Sequence, residues 1–502
     1  MKFNRASGIL LHPTSLPGPD GIGDLGPEAY RWVNFLKECG CSLWQVLPLG
    51  PTGYGDSPYQ CFSAFAGNPY LISPALLMED NLLSRADLSD RPTFPVETVN
   101  YGEVIQWKLT LLDRAAAHFT QSASPELHQA YQTFCNQQAY WLDDFALFMA
   151  IKESQGGVAW KDWPANLRQR DPQALADFCV SHQSALQRHM LRQFFFFRQW
   201  NALRTYANQK GIRIIGDIPI FVAYDSADVW ANPDLFFLDS KGHPTVVAGV
   251  PPDYFSPTGQ LWGNPLYRWR IHRQTGYAWW IRRFKATLQT VDIVRLDHFR
   301  GFAGYWEVPA NMPTAEIGRW VPGPGKHFVK AIRDALGDLP IIAEDLGKIT
   351  PDVEALRDDF FLPGMKIFQF AFSSDSDDPF LPHNYPANCV AYTGTHDNDT
   401  ALGWYLTAPE HERDFCRRYL ARSGDDISWD MIRAVWSSVA IFGIAPLQDL
   451  LSLDSSGRMH FPGRPSGNWN WRMTADTPNP ALSRRLYAVN HVYSRLAARD
   501  PP

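Results

Sequence analysis

The sequence lacks the cysteine pairs that mark a disulfide framework, a zinc site or a redox motif. Its seven cysteines are scattered over 502 residues, and none of them belongs to a C-x-x-C pair. The single close spacing, Cys39-Gly40-Cys41, falls at the end of a predicted helix, and we interpret it as incidental. This cysteine usage favours a reducing compartment, so we expect a cytoplasmic protein.

Long apolar runs and strong charge are missing too. The longest apolar run, 435–447, is interrupted by two serines and a glycine, whereas a membrane helix needs about 20 apolar residues. The first residues, MKFNRASGILLH, lack the apolar core of a secretory signal. With 46 basic and 52 acidic residues, the net charge of −6 predicts neither nucleic acid nor a membrane as partner.

Aromatic residues, by contrast, are abundant: the chain has 19 Trp, 19 Tyr and 31 Phe. Apolar residues make up 45% of the chain and charged residues 20%, which is typical of a globular protein and excludes extensive disorder. Most of the aromatic rings must therefore form a core. Some of them are candidates for platforms under flat ligands such as sugar rings.

A short apolar run that ends in a polar or acidic residue recurs eight times, with helical patterns between the runs. Buried parallel strands have this composition, and eight strands that alternate with helices indicate an α/β fold, a (β/α)₈ barrel. The runs are 8–12, 43–49, 212–217, 292–297, 340–345, 365–370, 389–393 and, less regularly, 441–447. We expect one catalytic barrel over residues 1–502.

Two insertions interrupt this alternation. Residues 50–211 are predicted to form a mostly helical subdomain, with helices at 106–120, 126–154 and 172–210. Residues 222–275 form a predicted loop subdomain, rich in Pro, Gly and aromatics, that covers the active site. Both leave from the carboxyl ends of strands, which is the face where barrel enzymes build their sites.

The segment Gly21-Ile22-Gly23-Asp24-Leu25-Gly26 matches the dinucleotide-binding pattern G-x-G-x-x-G. That pattern requires a strand that runs directly into the glycines and an acid about twenty residues later. Here residues 13–20 intervene, and the second strand ends in Leu47-Pro48-Leu49-Gly50. We therefore interpret the segment as a tight loop before a helix.

Four acids lie at predicted strand ends: Asp217, Asp297, Glu344 and Asp397. Alternation along the fourth strand places Arg295 on the same face as Asp297, where it would keep a nucleophilic carboxylate ionised. A single strand-end acid is more often a helix cap. Four acids, an Arg and two His on one rim instead favour glycosyl transfer, which needs one carboxylate to attack and one acid to protonate the leaving oxygen.

The chain resembles the 4-α-glucanotransferases, also called amylomaltases or disproportionating enzymes, which are glycoside hydrolase family 77 of the α-amylase superfamily. The resemblance runs from Ser7 to about Met473. Besides the acid-bearing segments, it rests on GILLHPTSLP (8–17), GDSPYQ (55–60), GDIPIFV (216–222), DSADVW (225–230), GVPPDYF (249–255), GQLWGNP (259–265) and PLQDLL (446–451).

The resemblance implies a role for each matching residue. Asp297 would be the nucleophile, Glu344 the general acid/base and Asp397 the third acid, which stabilises the transition state. The remaining implied roles concern the glucan: Arg295 orients Asp297; His298, His396 and Asp217 bind hydroxyls of the reacting sugar; Tyr59 stacks beneath it; Tyr254 and Trp262 lie on the covering loop; and Tyr101 belongs to a second, remote glucan site. The family needs no metal and no cofactor.

One segment departs from the family pattern, which usually reads Arg-Met-Asn-x-Pro-Gly-Thr before Gly-Asn-Trp. Here His460 and Arg464 replace the amide and the small hydroxyl. We expect Arg464 either to face solvent, or pair with an acid such as Asp454, or to act with His460 in re-aiming the groove beyond the reacting sugar. In the last case the pair would change chain-length preference rather than chemistry.

We therefore expect transfer of part of an α-1,4-glucan to the 4-hydroxyl of another glucan, with retention through a covalent intermediate. The alternatives are a hydrolase of the same superfamily and a non-catalytic glucan-binding protein on an inactive barrel. A nicotinamide-dependent dehydrogenase would rest only on the glycine pattern.

Overall fold

The computed structural model describes residues 3–252 and 256–496. The strands in this part of the chain are β1 (Ala6–Leu10), β2 (Leu43–Gln45), β3 (Arg213–Pro219), β4 (Val246–Val250), β5 (Gln260–Pro265), β6 (Ile293–Asp297), β7 (Gly304–Pro309), β8 (Arg319–Pro322), β9 (Ile341–Ala343), β10 (Gly364–Ile367), β11 (Cys389–Tyr392) and β12 (Phe442–Pro446).

The α-helices of the same residues lie mainly between these strands. They are α1 (Pro27–Glu38), α2 (Pro74–Glu79), α3 (Tyr101–Ser122), α4 (Pro125–Ser154), α5 (Ala165–Arg168), α6 (Pro172–Ser181), α7 (Gln183–Gln209), α8 (Ala227–Ala231), α9 (Trp269–Gln274), α10 (Ala278–Thr290), α11 (Gly325–Leu336), α12 (Pro351–Asp359), α13 (Ala401–Thr407), α14 (Glu410–Leu420), α15 (Ile427–Ser437), α16 (Leu447–Leu450) and α17 (Pro480–Val492). Among the described residues, no helix is both long and apolar enough to span a bilayer.

Eight strands form one all-parallel sheet in the order β10-β11-β12-β1-β2-β3-β6-β9. The two ends of this sheet meet where the amide of Ala343 donates a 2.9 Å hydrogen bond to the carbonyl of Pro363, just before β10. The predicted (β/α)₈ barrel is thus confirmed, and each of the eight apolar runs supplies one strand. Every residue of β1 and of β12 is buried, as expected of strands covered on both faces.

The glycine-rich segment is a loop, as the sequence predicts. Gly21 has φ +76°, which favours glycine, and a Cβ on Gly23 would lie 2.0 Å from the carbonyl oxygen of Pro13. α1 begins immediately after Gly26, with Pro27 in its first turn. These glycines therefore serve a tight turn and close packing between the first strand and the first helix.

Residues 50–211 are largely helical, with α3, α4 and α7 as the long elements. The predicted helix at 172–210 is two helices, because the backbone breaks at His182, where φ is −121°. A run of phenylalanines on α7 fills the space between the helices, and Phe194 packs against Phe119 of α3 with ring centroids 6.2 Å apart. Trp200 of α7 contacts Trp44 of β2, which joins the insertion to the barrel.

A second sheet, absent from the sequence prediction, lies above the barrel. It is antiparallel in the order β5-β4-β7-β8. The strands β4 and β5 come from the segment 222–275, which the sequence predicts as a loop, whereas β7 and β8 follow the fourth barrel strand, β6. The pairing of β4 with β7 therefore ties two separate connections into one unit.

Candidate active site

The four predicted acids gather at the carboxyl ends of neighbouring barrel strands. Asp217 lies within β3, Asp297 ends β6, Glu344 follows β9, and Asp397 lies in the turn after β11. Arg295 connects two of them, since its Nη1 lies 2.6 Å from Asp217 Oδ2 and 2.9 Å from Asp297 Oδ1. The expected grouping of acids on one rim is present in the structure.

Asp297 lies in a largely buried environment, but part of its side chain is exposed to the cleft. Its side chain is 27% exposed, while that of Arg295 is 4% exposed. Burial raises the pKa of Asp297, and the guanidinium of Arg295 acts in the opposite direction. The Arg295 contact also fixes the orientation of the carboxylate, so one oxygen is held and the exposed side is left to the cleft.

Glu344 is more deeply buried than Asp297. The amide of His298 donates a 2.6 Å hydrogen bond to its Oε2, and the amide of Leu346 donates a 2.8 Å bond to its Oε1. Burial raises the pKa of Glu344 to about 7; Arg295 opposes this shift, and the negative charge of Asp297 adds to it. A carboxyl with this pKa is suited to hold a proton near neutral pH and to donate it.

Asp397 is held by an imidazole at each oxygen. His396 Nε2 lies 3.3 Å from Oδ2, and His460 Nδ1 lies 2.6 Å from Oδ1, while half of the Asp397 side chain stays exposed. Partial burial acts to raise the pKa of Asp397, but His396 and His460 hold it well below its usual range. The contact with Asp397 in turn raises the pKa of His396 against the effect of burial.

Tyr59 and Asp217 support this arrangement from below. The Tyr59 hydroxyl donates a 2.8 Å hydrogen bond to Asp217 Oδ2, and its ring stacks on His396 with centroids 4.9 Å apart. The Asp217 side chain is fully enclosed, and among the described residues its Oδ1 has no hydrogen-bond partner. In this structure Asp217 therefore orients Arg295 and Tyr59 rather than facing the open cleft.

The small sheet brings Trp262 to the site. The Trp262 ring meets the ring of His298 edge to face, with centroids 4.8 Å apart. Burial, with a smaller contribution from Arg300, lowers the pKa of His298 to about 3, so its imidazole is neutral. Tyr254, the other aromatic residue expected on the covering loop, lies outside the described residues.

The segment 458–469 reaches the acids directly, which sequence reasoning missed. The ring of His460 contacts Asp397, a contact that the expectation of a role beyond the reacting sugar does not include. Arg464 is exposed, as one of the alternatives predicts, and among the described residues it forms no ion pair with Asp454. Its guanidinium lies 4.3 Å from the centre of the Phe461 ring. The departure from the family pattern did mark this segment, but spacing along the chain did not reveal which acid it touches.

Tyr101 lies at the start of α3. It is only 9% exposed, and its hydroxyl donates a 2.9 Å hydrogen bond to the carbonyl of Trp469. A second glucan site at Tyr101 remains a prediction. Within residues 3–252 and 256–496, no group of three or more His, Cys, Asp or Glu side chains is arranged to hold a metal ion.

Comparison with known proteins agrees with this geometry. A sequence profile described as 4-alpha-glucanotransferase matches residues 11–477. The 4-alpha-glucanotransferase of Thermus thermophilus is 53% identical over 99% of this chain and 100% of its own length. That of Synechocystis sp. is 51% identical over 99% of each chain.

Solved structures show the same relationship. An amylomaltase from Streptococcus agalactiae in complex with acarbose is 40% identical, with a TM-score of 0.95 over 98% of this chain and 99% of that chain. An amylomaltase from Corynebacterium glutamicum, 18% identical, shares the fold with a TM-score of 0.76, over 99% of this chain and 75% of that chain. The chain belongs to the 4-alpha-glucanotransferase family.

Proposed function

We propose that this protein cuts an α-1,4-glucan, holds the donor part on Asp297 and passes it to the 4-hydroxyl of another glucan. The observation that carries this proposal is the pairing of two carboxyl groups with opposite tasks. Asp297 is oriented by Arg295, which opposes the upward shift that burial gives the pKa of Asp297, while buried Glu344 has a pKa raised to about 7. Retaining glycosyl transfer requires such a pair.

In the first step, Asp297 attacks the anomeric carbon of the donor sugar. The bond from this carbon to the glycosidic oxygen breaks as Glu344 transfers its proton to that oxygen, and the shortened glucan leaves with a free 4-hydroxyl. The products are a glycosyl ester on Asp297 and an ionised Glu344. Burial of Glu344 keeps its carboxyl protonated before this step, because a buried carboxyl is more stable in its neutral form.

In the second step, Glu344 takes the proton from the 4-hydroxyl of an acceptor glucan. The acceptor oxygen attacks the anomeric carbon, and the bond to Asp297 breaks, which restores both carboxyl groups to their starting states. Two inversions give net retention. Asp397, His298 and His396 would bind hydroxyls of the reacting sugar, Tyr59 would lie beneath it, and Asp217 would act through Arg295.

We further propose that the segment 222–275 covers the site and that Trp262 helps to exclude water. Exclusion of water protects a reactive intermediate until an acceptor glucan arrives. Trp262→Ala should therefore raise the hydrolytic share of turnovers severalfold. The measurement is the number of reducing ends released per transfer event on maltotriose.

Leu261→Ala is the matched control for this substitution. Leu261 precedes Trp262 on β5, so its side chain points to the opposite face of the sheet, and it is 39% exposed. We expect the control to leave the ratio of hydrolysis to transfer unchanged. If the Trp262 variant shows the same ratio of hydrolysis to transfer as the wild type, Trp262 has a role in binding only.

Product analysis from maltotriose separates transfer from the hydrolytic alternative. A transferase yields glucose together with oligomers longer than maltotriose, whereas a hydrolase yields only glucose and maltose. We expect the first pattern, in the absence of any added metal or cofactor. The absence of any product, with glucan still bound, would instead identify a non-catalytic glucan-binding protein.

We also place the reaction in the cytoplasm. All seven cysteines are free, and four of them, Cys39, Cys41, Cys389 and Cys416, are buried. Free cysteines of this kind persist in a reducing compartment.

A further inference from the structure

His460 stands in direct contact with an acid of the site, although the sequence comparison marks it only as a departure from the family pattern. Its Nδ1 lies 2.6 Å from Asp397 Oδ1. A carboxylate only accepts hydrogen bonds, so Nδ1 carries the proton in this contact. A hydrogen bond to a charged group at this distance belongs to the strong class.

The position of the His460 ring is fixed from two further directions. The ring stacks on Trp469, with centroids 4.4 Å apart and an angle of 16° between the planes. Arg458 binds the backbone on both sides of the contact, because its Nη2 donates to the carbonyl of Asp397 and its Nε to the carbonyl of His460, each at 2.8 Å. The imidazole therefore presents Nδ1 to Asp397 with little freedom to turn.

The same segment supports Trp469 by hydrogen bonds of its own. The amide of Trp469 donates to the carbonyl of Met459 at 2.7 Å, and the amide of Phe461 donates to Asn468 Oδ1 at 2.8 Å. Trp469 also approaches Tyr59 and His396, with ring centroids 5.9 and 5.8 Å away. The groups that hold Asp397 thus form one connected set of rings.

We propose that His460 is a positioning residue for the transfer reaction, whose Nδ1–H holds Asp397 in the orientation that binds the reacting sugar. This inference rests on the proposed role of Asp397. The exposed half of the Asp397 side chain is the part left for sugar hydroxyls, and the other contacts of its carboxylate come from His396 and His460. Because the orientation of Asp397 matters most for the distorted sugar, loss of His460 should act on kcat rather than on KM.

Side-chain geometry provides a discriminating set of variants. The amide nitrogen of Asn is bonded to Cγ, as Nδ1 of His is, whereas the amide nitrogen of Gln extends one bond further, near the place of Nε2. His460→Asn therefore keeps a donor at the position that contacts Asp397. His460→Gln moves the same chemical group away from it, and His460→Ala removes it.

We expect His460→Ala and His460→Gln to lower kcat on maltotriose about 10- to 100-fold, the loss typical of one hydrogen bond to a charged group. KM should stay within about threefold in both variants, and His460→Asn should keep kcat within about threefold of the wild-type value. Melting temperatures, measured in parallel, identify any variant that is not folded at the assay temperature. The comparison of Asn with Gln stands even if the Ala variant fails to fold.

Arg464→Thr is the control, since Arg464 is the other departure in the segment and is exposed, and among the described residues its guanidinium stacks on the Phe461 ring. It should change kcat less than about twofold. Equal losses in the Asn and Gln variants, or a Gln variant that outperforms Asn, would overturn the assignment to Nδ1. A wild-type kcat in the folded Ala variant would overturn it as well.

Asp397→Asn separates this inference from the proposed function. If Asp397→Asn abolishes transfer while His460→Ala leaves kcat unchanged, Asp397 is essential and only the role of His460 fails. If Asp397→Asn itself leaves kcat unchanged, the role of Asp397 fails, and the role of His460 fails with it.

Discussion

Asp297→Asn is expected to lower glucan transfer to less than about a thousandth of the wild-type rate, while glucan binding persists. The amide keeps the size of the side chain and can still accept a hydrogen bond from Arg295, so the site should stay folded. It cannot form the glycosyl ester, and loss of a nucleophile costs many kcal/mol of transition-state stabilisation. The measurement is kcat on maltotriose, combined with binding of a long glucan.

Asp292→Asn is the matched control, since Asp292 lies just before the same strand, at the end remote from the site. It pairs with Arg204 at 2.7 Å and takes no part in the cleft. We expect its kcat within about twofold of wild type, once the folded fraction is taken into account. Residual transfer above a thousandth in the Asp297 variant would mean that another group attacks the sugar.

Glu344→Gln should lose most activity on maltotriose but recover the first step, formation of the glycosyl ester, with a donor whose leaving group needs no proton, such as a glycosyl fluoride. General acid catalysis contributes about 10²–10⁴-fold, and only for leaving groups that require protonation. The variant should form the glycosyl ester from the activated donor and then transfer it slowly, because no base remains to accept the acceptor proton.

The pH profile gives an independent check on Glu344. Its pKa is raised to about 7, and it must be protonated to act as an acid, so kcat/KM of the wild type should fall as the pH rises through about 7. At low pH, activity should fall as Asp297, which attacks in its ionised form, takes up a proton. With the fluoride donor, the Gln variant should lose the alkaline fall. An alkaline fall that persists would belong to another group.

The barrel was predictable because each of its strands has a signature that lies within a few consecutive residues. Each is a short apolar run that ends in a polar residue, and burial on both faces removes the need for alternation. The small sheet was not predictable in the same way, because the pairing of β4 with β7 joins segments that are distant in the sequence. The break at His182 was not predicted, because the helical pattern of the sequence continues on both sides of it.

The same distinction between local and long-range signals applies to the residues of the site. Asp297 and Glu344 follow their strands directly, so the strand assignment alone places them on the rim. Asp397 and His460 are 63 residues apart, on the segments that follow the neighbouring strands β11 and β12. The sequence showed that His460 was unusual, but its effect depends on this long-range contact. Asp217 similarly required the structure to show that its carboxylate is enclosed.

The shared sheet has a consequence for building chimaeras of such enzymes. The strand β4 (246–250) is hydrogen-bonded both to β5 (260–265) and to β7 (304–309), and β7 in turn pairs with β8 (319–322). The small sheet is therefore formed from two separate stretches of sequence. A cassette that replaces only the first stretch would change the partner of β7, in the connection that follows the strand carrying Asp297. Grafts between relatives should therefore exchange both stretches together.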